Sequence, residues 1–183
     1  MFELPNSAYI NKTIPKNRFE KLKNIQKIIW LYNLSAKTLN LEADEKIQEI
    51  QIFKIISPNY TQNELFQIQK KIPYPILFVL DDGFGMFDKD KFYFKEKITP
   101  NFNAFTTKEL FENLLREFFE IKDDDFNRAK ELDSKIKSIK KEIDSLKLKI
   151  KKEKQFKYKV ELNKKLLALQ NELERLENGL DTI

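Results

Sequence analysis

The 183-residue sequence predicts an α+β fold: a small mixed or antiparallel sheet packed by helices over residues 1–122, then a C-terminal antiparallel helical hairpin over residues 123–183. Three observations carry that prediction. Fourteen of the sixteen Phe residues lie within the first 120 positions, which places the compact core there. Short apolar runs bounded by Pro, Gly and Asp read as strands between turns. The C-terminal stretch instead carries two heptad runs, Leu132, Ile136, Ile139, Ile143, Leu146, Ile150 and then Leu162, Leu166, Leu169, Leu173, Leu176, Leu180. Each reads as a coiled-coil seam, but continuing the first register leads to Val160 rather than Leu162. An offset of two residues rotates a continuous helix by about 200°, so one straight helix would carry the two seams on nearly opposite sides. A reversal within Glu153–Tyr158 brings them face to face instead.

The elements follow in order. Residues 1–15 read as extended, with Pro5 and Pro15 as punctuation. Pro15 suits the first turn of a helix predicted over Lys16–Asn33, where Phe19, Leu22, Ile25, Ile29 and Tyr32 step by threes and fours. Residues 34–46 form a connection with room for a short helical turn. Ile47–Ile56 alternates Ile50, Ile52 and Ile55 with Gln and Lys, as a half-buried strand does, and Ser57-Pro58-Asn59 stops it. A short helix over Asn63–Lys71 is broken at Ile72-Pro73-Tyr74-Pro75. The apolar run Ile76–Leu80 then suits a central strand. Asp81-Asp82-Gly83 is a turn, and Phe84–Phe87 with Lys91–Ile98 makes a hairpin about Asp88-Lys89-Asp90. Thr106 and Glu109 have capping-box spacing and open a helix that buries Leu110, Phe111, Leu114, Leu115, Phe118 and Phe119. Asp123-Asp124-Asp125 begins the hairpin, where acids favour the helix dipole.

Composition removes whole classes of chemistry. There is no Cys and no His, hence no disulfide, no thiolate nucleophile, no imidazole base and no Cys/His zinc site. Three Gly residues leave no room for a Gly-rich phosphate loop. No cofactor and no resident metal are predicted. No stretch approaches the roughly 18 apolar residues that span a bilayer. The N-terminal Met-Phe-Glu-Leu-Pro lacks the basic and apolar regions of a signal peptide, so the expected location is the cytoplasm, away from membranes.

Net charge is +5, and its distribution says more than its size. Nine lysines between Lys147 and Lys165 face only Glu153 and Glu161, a local surplus of seven at the expected turn. Lys151, Lys152, Lys154, Lys157 and Lys159 interleave there with Phe156 and Tyr158, a pattern suited to phosphate contacts with an aromatic beside them. These seven residues are the candidate nucleic-acid-binding set; the bland alternative is a solvated, Lys-rich helix end. Trp30, Tyr32 and Tyr74 are weaker stacking candidates, because aromatics at helical spacing usually belong to a core. The enzymatic alternative is a magnesium-dependent nuclease, which needs converging carboxylates and a lysine, and Glu49, Asp81, Asp82 and Lys95 supply the residue types. A solvated turn is the simpler reading of Asp81-Asp82-Gly83. Asp88-Lys89-Asp90 lacks the Gly and spaced acids of a calcium loop.

Several segments, taken together, resemble an uncharacterised bacterial and archaeal domain-of-unknown-function family. They are Leu4-Pro5-Asn6-Ser7 followed by Asn11-Lys12 and Ile14-Pro15-Lys16; Glu49-Ile50-Gln51-Ile52-Phe53; Ile72 through Phe78; Leu110–Leu115; and Glu153 through Phe156 with Val160 through Asn163. Their order covers nearly the whole chain. The resemblance implies a gene neighbourhood too, since members of that family often lie beside helicase and DNA-methyltransferase genes of restriction and phage-defence loci. The resemblance therefore implies an accessory role in such a complex and supplies no catalytic residues. The expectation is a non-enzymatic adaptor that docks on a larger helicase, methyltransferase or nuclease, its arm either binding the same partner or leaning its basic tip on DNA. A purely structural adaptor that dimerises through the arm is the third class, since heptads serve intramolecular and intermolecular partners equally well.

Overall fold

The computed structural model describes residues 2–121 and 123–178. The chain divides into two compact units, Met1–Phe118 and Phe119–Ile183. The first contains strands β1 (Tyr9–Ile14), β2 (Lys27–Ser35), β3 (Glu49–Ile56), β4 (Ile76–Val79), β5 (Phe84–Asp88) and β6 (Lys91–Lys95). Its helices are α1 (Ala36–Leu39), α2 (Gln62–Lys71) and α3 (Thr107–Arg116). The second unit holds α4 (Phe126–Lys152) and α5 (Phe156–Glu177).

The six strands lie side by side in chain order. Every neighbouring pair is antiparallel except β3 and β4, which are parallel. A parallel pair needs a crossover, and α2 supplies it between Ile56 and Ile76. The sheet is thus mixed, with its one parallel step at the centre, where Ile76, Leu77 and Phe78 are all fully buried.

Register assigns the side chains to faces. Ile14, Ile28, Phe53, Ile55, Ile76 and Phe78 share one face with Leu65 and Ile68 of α2 and with Phe19 and Ile25 of the β1–β2 connection, in a single apolar cluster. Ile50, Ile52, Leu77 and Met86 occupy the opposite face and are equally buried. Helix α3 touches β3, and its buried Leu110, Leu114 and Leu115 lie outside that cluster, so they cover this second face. Thr107 ties α3 down by donating to Ile47 O while accepting from Asp44 N.

The expected helix over Lys16–Asn33 is overturned. Only a single 3₁₀ turn forms, Lys16–Arg18, and Lys27–Ser35 is strand β2, paired on both sides. Pairing on both edges decides this, and two local features fit the strand. Lys21 sits in the left-handed region (φ 60°), which ends any helix there. The run Ile28-Ile29-Trp30-Leu31-Tyr32 is β-branched and aromatic, the composition that suits a pleated surface. Strand alternation was hidden because β2 bulges between Trp30 and Tyr32. Trp30 pairs with Phe53 and Tyr32 with Ile52, so the buried set changes face in mid-strand. The extended N-terminal segment likewise contains an edge strand, β1.

The expected turn at Asp81-Asp82-Gly83 is present and is closed by Leu80 N donating to Gly83 O at 2.8 Å. Gly83 has φ +158°, and a Cβ there would lie 2.6 Å from Lys95 O and 2.9 Å from Glu96 Cα, both backbone atoms that cannot swing aside. Gly83→Ala is therefore expected to destabilise the first unit by about 2–3 kcal/mol. The readout is the urea midpoint followed by the fluorescence of Trp30, the single tryptophan.

In the second unit the hairpin forms as the two phases of the heptads require. Asp125 caps α4 by accepting from Arg128 N at 2.8 Å. Ion pairs Lys135–Glu172 (3.0 Å) and Lys165–Glu142 (2.9 Å) step in opposite directions along the two helices, which fixes them as antiparallel. Ile136, Ile139, Ile143 and Leu176 form the buried seam, flanked by Leu132, Leu166, Leu169 and Leu173. Leu180, expected as the last seam residue, lies outside the described residues. The reversal occupies Glu153–Gln155 and uses no Gly, Pro, Asn or Asp. Glu153 instead accepts its own turn bond, Oε1 from Gln155 N at 2.7 Å, as a short acidic side chain does in an Asx turn.

Candidate nucleic-acid interface at the hairpin tip

The reversal after Lys152 gathers the charge surplus at one end of the arm. Lys151 and Lys152 close α4, Lys154 sits in the connection, and Lys157 and Lys159 lie in the first turn of α5. All five are exposed. Among the described residues none of them forms an ion pair, whereas Lys135, Lys140 and Lys165, farther along the hairpin, each reach a glutamate across it. Phe156 is 82% exposed and Tyr158 52%, with Val160 beside them. An exposed Phe at the start of a helix contributes nothing to the seam. Lysines within the first turn of α5 also lie at the positive end of that helix dipole, where cations are unfavourable. Lys151 and Lys152, in the last turn of α4, are favourably placed for that helix, so the opposition is confined to Lys157 and Lys159, and the exposed surplus suits an anionic partner. Chemically it offers mobile ammonium groups for phosphate oxygens and two aromatic faces for stacking. All seven residues expected to bind nucleic acid are brought together here.

The four residues of the enzymatic alternative are not. Lys54 of β3 pairs with Val79 of β4, so Asp81 is level with Ile56 at the far end of β3. Glu49 begins that strand, and seven residues at about 3.3 Å each put roughly 23 Å between the two positions along the sheet. Two magnesium ions sharing carboxylates sit about 3.5–4 Å apart, so Glu49 cannot join Asp81 and Asp82 in one cluster. Each group also has a structural partner. Glu49 accepts from Asn33 Nδ2 (3.2 Å) and Gln51 Nε2 (2.7 Å). Asp81 accepts from Ser57 N at 3.4 Å, and Lys95 Nζ donates to Glu117 O at 2.8 Å. Asp82 accepts the Tyr60 hydroxyl at 2.9 Å; burial, and then this carboxylate, push the Tyr60 hydroxyl well above the usual tyrosine range. Among the described residues, no three Asp, Glu, His or Cys side chains are grouped so as to hold a metal ion.

A sequence profile for the family described as "Domain of unknown function (DUF4391)" matches residues 2–94 and 84–173, which together span both units. The chain belongs to the DUF4391 family. No curated protein and no solved structure matches it. For this DUF4391 chain, of the weaker stacking candidates, Tyr32 is buried in the sheet. Trp30 is half-buried on β2, with its indole N–H donating to Tyr32 O at 2.9 Å, so its ring plane is held in a fixed orientation. No helix among the described residues is long and apolar enough to cross a membrane.

Proposed function

We propose that this DUF4391 protein is a non-enzymatic accessory subunit of a cytoplasmic DNA-restriction or anti-phage complex. Its hairpin places a basic, aromatic tip on nucleic-acid phosphates, and its α+β unit docks on a larger helicase, methyltransferase or nuclease. The observation that carries this reading is the tip itself: five exposed lysines without a carboxylate partner among the described residues, around an 82%-exposed Phe156. The separation of Glu49 from Asp81 and Asp82 favours it over the nuclease. The gene neighbourhood implied by the family resemblance is what points to a defence complex rather than to any other DNA-associated assembly.

Binding of this kind is driven by counterion release and reads no sequence. Exchanging Lys151, Lys152, Lys154, Lys157 and Lys159 for Gln is expected to weaken binding to duplex DNA. The slope of log K against log salt is expected to become shallower by about 0.9 for each phosphate no longer neutralised. Fluorescence anisotropy with labelled duplexes across a salt series measures both. An unchanged slope would remove nucleic acid from the tip. Because these side chains are exposed and form no ion pair among the described residues, the variant should keep the helical circular dichroism of the parent.

A further inference from the structure

A concave feature lies in the first unit, on the face of the sheet that also carries α2. It is a cavity of about 570 Å³, within the range of about 300–1,000 Å³ typical of small-ligand sites. The register builds it. Lys12 of β1 pairs directly with Trp30 of β2, and Trp30 pairs with Phe53 of β3, so these side chains share one face with Gln51, two residues along. Pro15 and the 3₁₀ turn after it add Arg18 and Phe19 to the lining, and the end of α2 adds Lys71.

Three cations, Lys12, Arg18 and Lys71, line the cavity, and no carboxylate does. Lys12 and Arg18 are exposed and form no ion pair among the described residues. Lys71 reaches Glu20 at 3.6 Å, with both side chains largely in water, a contact too weak to neutralise it. Trp30 and Phe19 supply ring surface, and the indole N–H of Trp30 is already bonded. Gln51 is only 6% exposed, yet it lines the cavity. Its Nε2 donates to Glu49 Oε1 at 2.7 Å. A carboxylate only accepts, so this bond fixes which end of the amide is which and leaves the Gln51 carbonyl oxygen without a hydrogen bond among the described residues. An acceptor left open in a cavity with surplus positive charge suits a ligand that is anionic at one end and carries an N–H at the other.

We infer that this cavity binds a nucleoside phosphate. The phosphate lies among Lys12, Arg18 and Lys71, and the base lies against Trp30 and Phe19 with an N–H donated to Gln51. The ligand is either a free nucleotide or the terminal nucleotide of a strand, both of which present the same two groups. Its lining residues all belong to the first unit, and the inference does not depend on the tip's role.

Trp30 is the single tryptophan and lines the cavity, so its fluorescence reports occupancy in the intact protein. Titration with AMP, CMP, ribose 5-phosphate, inorganic phosphate and a 5′-phosphorylated oligonucleotide is expected to give saturable quenching by the nucleotides, the oligonucleotide or both. Saturation by AMP or CMP identifies a free nucleotide as the source, and saturation by the oligonucleotide alone identifies a strand end. The Lys12→Ala/Arg18→Ala variant removes two exposed, unpaired side chains and is expected to weaken binding about tenfold for each cation removed. Absence of quenching by every nucleotide probe overturns the inference. So does quenching that is indifferent to the double variant, or ribose 5-phosphate binding as tightly as AMP.

Discussion

Replacing Glu64 with Ala is expected to destabilise the first unit by about 2–4 kcal/mol, because it removes the charged acceptor of four hydrogen bonds and with it the cap of α2. Glu64 is only 3% exposed. Its carboxylate accepts four hydrogen bonds: Oε1 from Asn24 N (2.7 Å), and Oε2 from Asn24 Nδ2 (3.1 Å), Thr61 N (3.0 Å) and Thr61 Oγ1 (2.9 Å). The Thr61 bonds complete a reciprocal capping box at the start of α2. The Asn24 bonds fasten the β1–β2 connection to that helix. Burial by itself would raise the Glu64 carboxyl, but the bonds from Asn24 and Thr61 outweigh it and hold the group below its ordinary value of 4.5. A carboxyl lowered in the folded state contributes stability that is fully present above its unfolded value. That contribution is lost as pH falls below about 4.5 and through the lowered folded value. Urea midpoints measured across pH 3–7 should therefore drop more steeply at the acid end for the parent than for Glu64→Gln, which retains the shape without the titration. Parallel acid limbs would show that the carboxylate is not held in this way.

This Glu64 arrangement also shows where legibility in the sequence ended. The seams of α4 and α5, the α2 and α3 helices, the β5–β6 hairpin and the central β3 and β4 strands follow from local patterns, and local patterns are present in one sequence. The β1–β2 region does not. Its helical periodicity through Phe19, Leu22, Ile25, Ile29 and Tyr32 is real, and nothing local outweighs it. The competing facts are tertiary: Asn24 is held by a glutamate forty residues away, β2 pairs on both edges, and a bulge at Leu31 removes the alternation that marks a strand. Propensity yields to pairing when both neighbours offer a ladder.

The same division applies to the candidate sites. The hairpin tip was legible because its seven residues lie within nine positions, Lys151 to Lys159, and a turn there is enough to gather them. The cavity was not, because Lys12, Arg18, Trp30, Gln51 and Lys71 come together only through the register of three strands and the end of α2. The one local hint is Trp30 itself, an aromatic whose spacing points to a helix rather than to β2. Conversely, Glu49, Asp81, Asp82 and Lys95 have the right residue types for metal chemistry, and the parallel β3–β4 step sends the first carboxylate to the opposite end of the sheet.

The hairpin depends on its seam for a reason that sets the size of the second large effect. Isolated helices of this length are marginal in water, and what holds them is the packing of an apolar stripe. Ile136 is fully buried in that stripe, with Leu173 and Leu176 of α5 in the same cluster. Ile136→Asp puts a carboxylate there with no partner. The buried Asp133, one turn back and already engaged by Lys137 (2.9 Å) and Glu120 N (3.2 Å), adds repulsion. The penalty of about 3–5 kcal/mol for an unpaired buried charge exceeds what a two-helix seam of this size can spare. Helices α4 and α5 hold 27 and 22 residues, against 4, 10 and 10 in α1, α2 and α3. Unzipping should therefore remove about two thirds of the helical ellipticity at 222 nm. Trp30 lies in the first unit, and its emission should not change. Retained ellipticity in Ile136→Asp would mean that the two helices are held by something other than their seam, and the arm would then need a partner to explain it.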